Sequence, residues 1–202
     1  MAKEFQETSV IKNDEPRLRA DAKRNEEALL EAAKRVFARS GVDAPIREIA
    51  SEAGVGLGTL YRRFPTRSDL VASVFRREVD ACAEEAATLS KTSAPLEALT
   101  AWLMRYTHFL ATKQGLAAAL HSGDAAFSAL PDYFRSRFEP ALSGLMGKAV
   151  ETGAIRTDIA PYDLLRAIGN LAVATGDDGP AHIERMVMLL IDGMRYKATK
   201  TP

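Results

Sequence analysis

Apolar residues recur at three- and four-residue intervals along most of this chain, the period of a helix with one buried face. Leu29, Leu30, Ala33, Val36 and Phe37 form the first such stripe and predict an amphipathic helix over about residues 21 to 40, stopped at Gly41. Two much shorter helices follow. Pro45 suits the first turn of one that ends near Gly54, and Pro65 closes a second that would carry Leu57, Leu60, Tyr61 and Phe64 on one face. Thr66 and Asp69 have the spacing of a capping box, opening a long helix whose stripe is Leu70, Val71, Val74, Phe75, Val79 and Cys82. After a break at Ser93 to Pro95, the stripe Leu99, Trp102, Leu103, Tyr106, Phe109 and Leu110 predicts another helix, and a short one continues to His121 before Gly123. Further helices are expected over residues 131–152, 161–175 and 180–197. No stretch alternates with a period of two, so the pattern predicts an all-α fold of nine helices.

Residues 1–16 alternate charged and polar types without periodicity and read as a flexible tail. A small three-helix domain is expected over 17–66 and a larger helical domain over 67–202, with the long helix from Thr66 linking them. The last two helices are strongly apolar. Leu164, Leu165, Ile168, Leu171 and Ala172 line one; Ile183, Met186, Val187, Leu190, Ile191 and Met194 line the other, and Met188 and Leu189 widen its apolar surface beyond one core-facing stripe. That excess implies a homodimer held by these two helices, with Gly169 and Ala172 allowing close approach.

A chain of 202 residues, 47% hydrophobic, can bury a substantial core. It has no run of about 18 apolar residues, and its N-terminus lacks a signal-peptide pattern, so a cytoplasmic protein with no membrane partner is expected. Cys82 is the only cysteine and lies on an apolar stripe, which predicts an inert core thiol, and three scattered histidines offer no zinc-ligand spacing. No metal or cofactor is expected. The formal charge is zero, yet residues 17–67 hold eleven Lys/Arg against seven Asp/Glu, a net of +4. Positive charge gathered on one segment of a neutral chain fits a polyanion partner or a solvated helix face.

The segment IREIASEAGVGLGTLYRRF, Ile46 to Phe64, joins two two-turn helices through Gly54-Val55-Gly56. Ile49, Ala50 and Ala53 give the first a small-residue buried face, so that the second can cross it steeply. Gly54 can take the left-handed turn. Leu60 and Phe64 anchor the second helix while Thr59, Arg62 and Arg63 point elsewhere, leaving a cationic outer face. This is a helix-turn-helix pattern for double-stranded DNA, with Arg47, Leu57, Gly58, Thr59, Tyr61, Arg62 and Arg63 as candidate contacts.

The pattern resembles that of the TetR family of transcriptional regulators, here as Ile49-Ala50, Ala53-Gly54-Val55, Gly58-Thr59-Leu60-Tyr61 and Phe64, within a match over roughly residues 21 to 75. The resemblance implies that the second short helix enters the major groove, that Thr59 and Tyr61 touch phosphates, and that the larger domain binds a small-molecule effector. It implies a dimeric, ligand-responsive repressor on a palindromic operator, although activators share the architecture. Gly56 stands where many members have serine, and Ala44-Pro45 replaces a frequent hydroxyl residue. Leu57, often polar in relatives, is expected to pack inward beside Leu60; the alternative is contact with a thymine methyl. Arginine can grip guanine or phosphate equally well, so Arg62 and Arg63 stay undivided between those roles. Arg17, Arg19, Lys23 and Arg24 suit either a groove-reaching arm or a basic tail.

For the effector, Trp102, Tyr106, Phe109, His121, Phe127, Phe134 and Phe138 are the candidate ligand-binding residues, although aromatics at helical spacing mostly serve as core. An enzyme would have to pair His121 with Asp124 or His108 with Glu97, and no nucleophile elbow, P-loop or dinucleotide fingerprint accompanies them. No catalytic residue is assigned. A dimeric protein-binding adaptor without DNA affinity is the remaining alternative.

Overall fold

The computed structural model describes residues 14–114, 123–173 and 179–196. These form eight α-helices and a short 3-10 turn, with no strand among the described residues. The helices are α1 (Asp14–Ser40), α2 (Ile46–Glu52), α3 (Leu57–Arg63), α4 (Arg67–Thr92), α5 (Pro95–Gln114), α6 (Leu130–Glu151), α7 (Pro161–Val173) and α8 (Gly179–Arg195). The expected short helix ending at His121, which would make nine, lies outside the described residues.

α1 starts at Asp14, not near Asp21, so the stretch expected to end a tail is already helical. Pro16 falls in the first turn, where a missing backbone N–H leaves no bond unmade. Arg17, Arg19, Lys23 and Arg24 are therefore part of a helix and not of an irregular tail. Arg24 pairs with Asp21, and Lys23 approaches Glu27 at 4.0 Å. The other predicted ends agree within two residues where the chain is described.

The chain divides into two compact units between Val74 and Phe75, and α4 runs through that point as one continuous helix. In the first unit Leu29, Ala33, Val36, Ile49, Ala50, Leu60, Phe64, Leu70 and Val71 are buried. The capping box at α4 is reciprocal: the Thr66 N–H and hydroxyl both donate to Asp69 Oδ2, at 3.1 and 2.7 Å, and the Asp69 N–H donates back to Thr66 Oγ1 at 3.1 Å.

In the second unit α5 packs against α6, α7 and α8 around a core drawn from α4 to α8. The Trp102 indole N–H donates to the Cys82 carbonyl at 2.8 Å, so the largest core side chain leaves no buried donor unmet. Burial pushes the Cys82 thiol up to about 12, which keeps it protonated at neutral pH, as expected for an inert core thiol.

Candidate nucleic-acid interface

α2 ends in a Schellman motif, which turns the chain toward α3. The Val55 N–H donates to the Ala50 carbonyl at 3.0 Å and the Gly54 N–H to the Ser51 carbonyl at 3.1 Å, with Gly54 at φ 68°. This left-handed turn is why glycine suits that position. α2 is tied back to α1 by charge. Arg39 Nη2 donates to Glu48 at 2.7 Å and Glu52 at 3.1 Å, and Arg35 Nε donates to Glu52 at 2.6 Å. These two guanidinium bonds hold the Glu52 carboxyl below its ordinary value. Arg67, at the start of α4, donates to the Val42 carbonyl and, at 2.8 Å, to the Ala44 carbonyl. It thereby fixes the loop that delivers α2, a contact no sequence pattern announced.

α3 separates scaffold from surface. Leu60 and Phe64 are buried, while Leu57 is 45% exposed and Tyr61 52% exposed. This corrects the expectation that Leu57 packs inward; of the face formed by Leu57, Leu60, Tyr61 and Phe64 only part is buried. A seven-residue helix closed at Phe64, which has left helical geometry at φ −127°, buries only the arc between Leu60 and Phe64. Gly58 and Arg62 are exposed, Thr59 is half-buried, and Arg47 is exposed on α2. A Cβ built on Gly58 meets no atom within 4 Å, so internal packing does not require glycine there. The two adjacent arginines differ. Arg63 Nη2 lies 2.5 Å from Glu26 Oε2 on α1, whereas Arg62 takes no hydrogen-bond or ion-pair partner among the described residues.

The residues named for an effector are mostly one ring cluster in the second unit. Trp102 and Tyr106 stack with centroids 5.8 Å apart, and Phe138 meets Trp102, Tyr106 and Phe109 edge-on at 6.0, 5.2 and 5.3 Å. Phe134 and Phe75 complete the cluster at 5.4 Å from each other. Phe127 is buried but joins none of these described ring pairs, and His121 lies outside the described residues. The Tyr106 hydroxyl, raised well above its usual value by burial, reaches the Leu165 carbonyl at 3.5 Å. Beside the rings, the Tyr133 hydroxyl donates to both Asp80 oxygens at 2.7 Å, and Arg137 Nε donates to Asp80 Oδ1 at 2.6 Å. Burial first, and the Asp80 bond second, push Tyr133 up to about 12. No local sequence pattern encodes this polar clamp of α4 to α6.

Two surface grooves lie away from the rings. One of about 580 Å³ runs along Leu96, Thr152 and Tyr196; another of about 420 Å³ lies between α7 and α8 along Leu164, Ala167, Leu189 and Met194. Beside the latter, Met188 is 43% and Leu189 64% exposed, while Ile183, Val187 and Ile191 are buried. Ala172 is buried too, so it does not offer the outward close approach expected of it. Of the two catalytic pairings, His121 with Asp124 falls partly outside the described residues. Asp124 caps the 3-10 turn by accepting from the Ala126 N–H at 2.9 Å. Glu97 and His108 sit three turns apart on α5, about 16 Å along the axis. Among the described helices none is long and apolar enough to cross a membrane.

Residues 29–74 match the model of bacterial regulatory proteins of the tetR family, and residues 94–196 match that of the SbtR-like transcriptional regulator C-terminal domain. The fold is similar to that of the TetR transcriptional regulator SCO0520 from Streptomyces coelicolor, with 38% identity, 84% of this chain and 98% of that one covered, and a TM-score of 0.70. A TetR transcription regulatory protein from Mycobacterium vanbaalenii shows 35% identity over 88% of this chain and 99% of its own, with a TM-score of 0.69. An HTH-type transcriptional regulator of Staphylococcus aureus is 42% identical over 64 residues, 31% of this chain. The match spans only 35% of that curated relative's length.

Proposed function

Because the chain belongs to the TetR family of bacterial transcriptional regulators, we propose that it binds a roughly palindromic operator as a homodimer and represses transcription until a small effector releases it. The division of labour on α3 carries this reading. Its anchors, Leu60 and Phe64, are buried, and everything it offers outward can touch duplex DNA. In the major groove Leu57 would meet a thymine methyl, Thr59 and Tyr61 would reach phosphates, and Arg62 would bond a base edge or a phosphate. Gly58 lets the DNA backbone approach closely. Salt-dependent binding to duplex selected from a random pool tests the reading: affinity should fall steeply with salt, and neither a specific site nor a salt slope should survive if the chain is only an adaptor.

The exposed Met188 and Leu189, with the groove between α7 and α8, support a homodimer through these helices. For the effector, the ring cluster around Trp102 and Phe138 supports a mostly apolar molecule that lodges by displacing rings against α4. Since α4 is continuous with the first unit, its movement would alter operator affinity, and operator must then weaken effector binding by the same factor. Trp102 is the only tryptophan, so its fluorescence reports on this region directly. The reading contains no catalytic step and places the protein in the cytoplasm with its DNA.

A further inference from the structure

We propose that Glu26 is an internal competitor for DNA phosphate: by holding Arg63, it makes α3 engage duplex with one cation fewer, which lowers affinity for every sequence and with it the salt dependence. This rests on the reading of α3 as the DNA-facing helix. Arg62 and Arg63 are neighbours in sequence and identical in charge, yet only Arg63 has a carboxylate 2.5 Å from its guanidinium. The pair is open to solvent, with Arg63 56% and Glu26 28% exposed, so both groups can meet an incoming polyanion.

A simple tether between α1 and α3 is a weak account of the pair. α3 is already fixed by the burial of Leu60 and Phe64, and an exposed ion pair adds little to stability. Its effect on polyanion binding is larger. Non-specific attachment rests almost wholly on phosphate neutralisation, and each contact contributes about 0.9 to the salt slope. A specific complex also draws on base edges and fit. The phosphate contact is common to both complexes, so withholding one cation per subunit weakens attachment to random duplex and to the operator by a similar factor. Glu26 also places a negative charge where phosphate would otherwise approach Arg63, so the two anions compete for one fork.

The test compares wild-type protein, Glu26→Gln, and Glu26→Gln combined with Arg63→Ala, each on a random-sequence duplex and on duplex selected by the wild type. Circular dichroism checks that each variant is folded. Glu26→Gln should steepen the salt slope on random duplex by about 0.9 per subunit, equivalent to about 3.5-fold more affinity lost between 50 and 200 mM salt. Its affinity for random duplex and for the selected duplex should rise by a similar factor. Adding Arg63→Ala should cancel that gain. Retained binding with an unchanged slope in Glu26→Gln would overturn the inference alone, as would a gain that persists without Arg63, since that would mark a diffuse charge effect. If the wild type holds no duplex even at low salt, the DNA reading fails and takes this inference with it.

Discussion

In the first unit, the side chains that hold α3 in place and those it offers outward are different residues; in the second, most of the described residues named for effector binding are themselves the core. Leu60 and Phe64 are buried while Leu57, Tyr61 and Arg62 are exposed, so contact and scaffold can be altered separately. Trp102, Tyr106, Phe109 and Phe138 are buried against one another, so no substitution there touches a ligand without also touching stability. The outer face of α3 can thus change without disturbing its anchors, whereas the ring core must change while remaining packed.

The largest expected effects test that contrast at its buried ends. Trp102→Ala should destabilise the second unit by about 3 to 5 kcal/mol in denaturant unfolding, because it opens a cavity and removes the indole bond to the Cys82 carbonyl. Phe64→Ala should cost about as much in the first unit and lose DNA binding only through unseating α3. Equal loss of DNA affinity in a Phe64→Ala protein that is as stable as the wild type would erase the distinction between anchor and contact.

Next comes the dimer. Leu189→Asp places a charge on a side chain 64% exposed in the single chain, so folding should be unaffected. Sedimentation at micromolar concentration should nevertheless shift from dimer toward the 22.0 kDa monomer. A variant that stays dimeric would move the interface off the α7 and α8 surface.

Contact residues should give smaller, cleaner changes. Arg62→Ala should lose about 1 to 3 kcal/mol of operator affinity per subunit if it reads a base, with stability within about 0.5 kcal/mol of wild type. Gly58→Ala should leave the protein as stable or up to about 1 kcal/mol more stable, since a Cβ there meets nothing and alanine favours helix. It should still weaken DNA binding, measured by fluorescence anisotropy. Unchanged affinity would mean that the duplex does not approach Gly58.

The smallest effect concerns pH. Glu52 has a lowered pKa because Arg35 and Arg39 donate to it. A depressed carboxylate gives stability that is present above its unfolded value and lost as pH falls through the folded one. The acid side of a melting-temperature profile should therefore decline below the ordinary value of 4.5, and Glu52→Gln should flatten it.

The limits of the sequence follow the same division. Ile49, Ala50, Gly54, Leu60, Phe64 and the Thr66–Asp69 box were legible because each acts within a turn or two of its neighbours. Leu57 was misplaced because Leu57, Leu60, Tyr61 and Phe64 have ideal helical spacing, and only docking shows that a seven-residue helix buries half of that stripe. The start of α1 at Asp14 was hidden because its first turns carry no apolar stripe to count. Arg67 on the Val42 and Ala44 carbonyls, Glu26 on Arg63, and Asp80 under Tyr133 join residues 23 to 53 positions apart, and no local pattern encodes such pairs. In the ring core of the second unit, periodicity found the rings but could not tell packing from binding, because both need the same buried aromatics.

The claim that α3's outer face reads DNA is tested most directly by selecting from a random duplex pool with the wild-type protein and with Arg62→Ala. The account predicts that the wild type enriches an inverted repeat whose half-sites lie on one face of the duplex, about one helical turn or a multiple apart. It predicts that Arg62→Ala enriches the same repeat with relaxed preference at one position in each half, or weaker enrichment throughout. A pool that shows no enriched sequence with the wild type at low salt, or an identical site enriched equally well by both proteins, would contradict it.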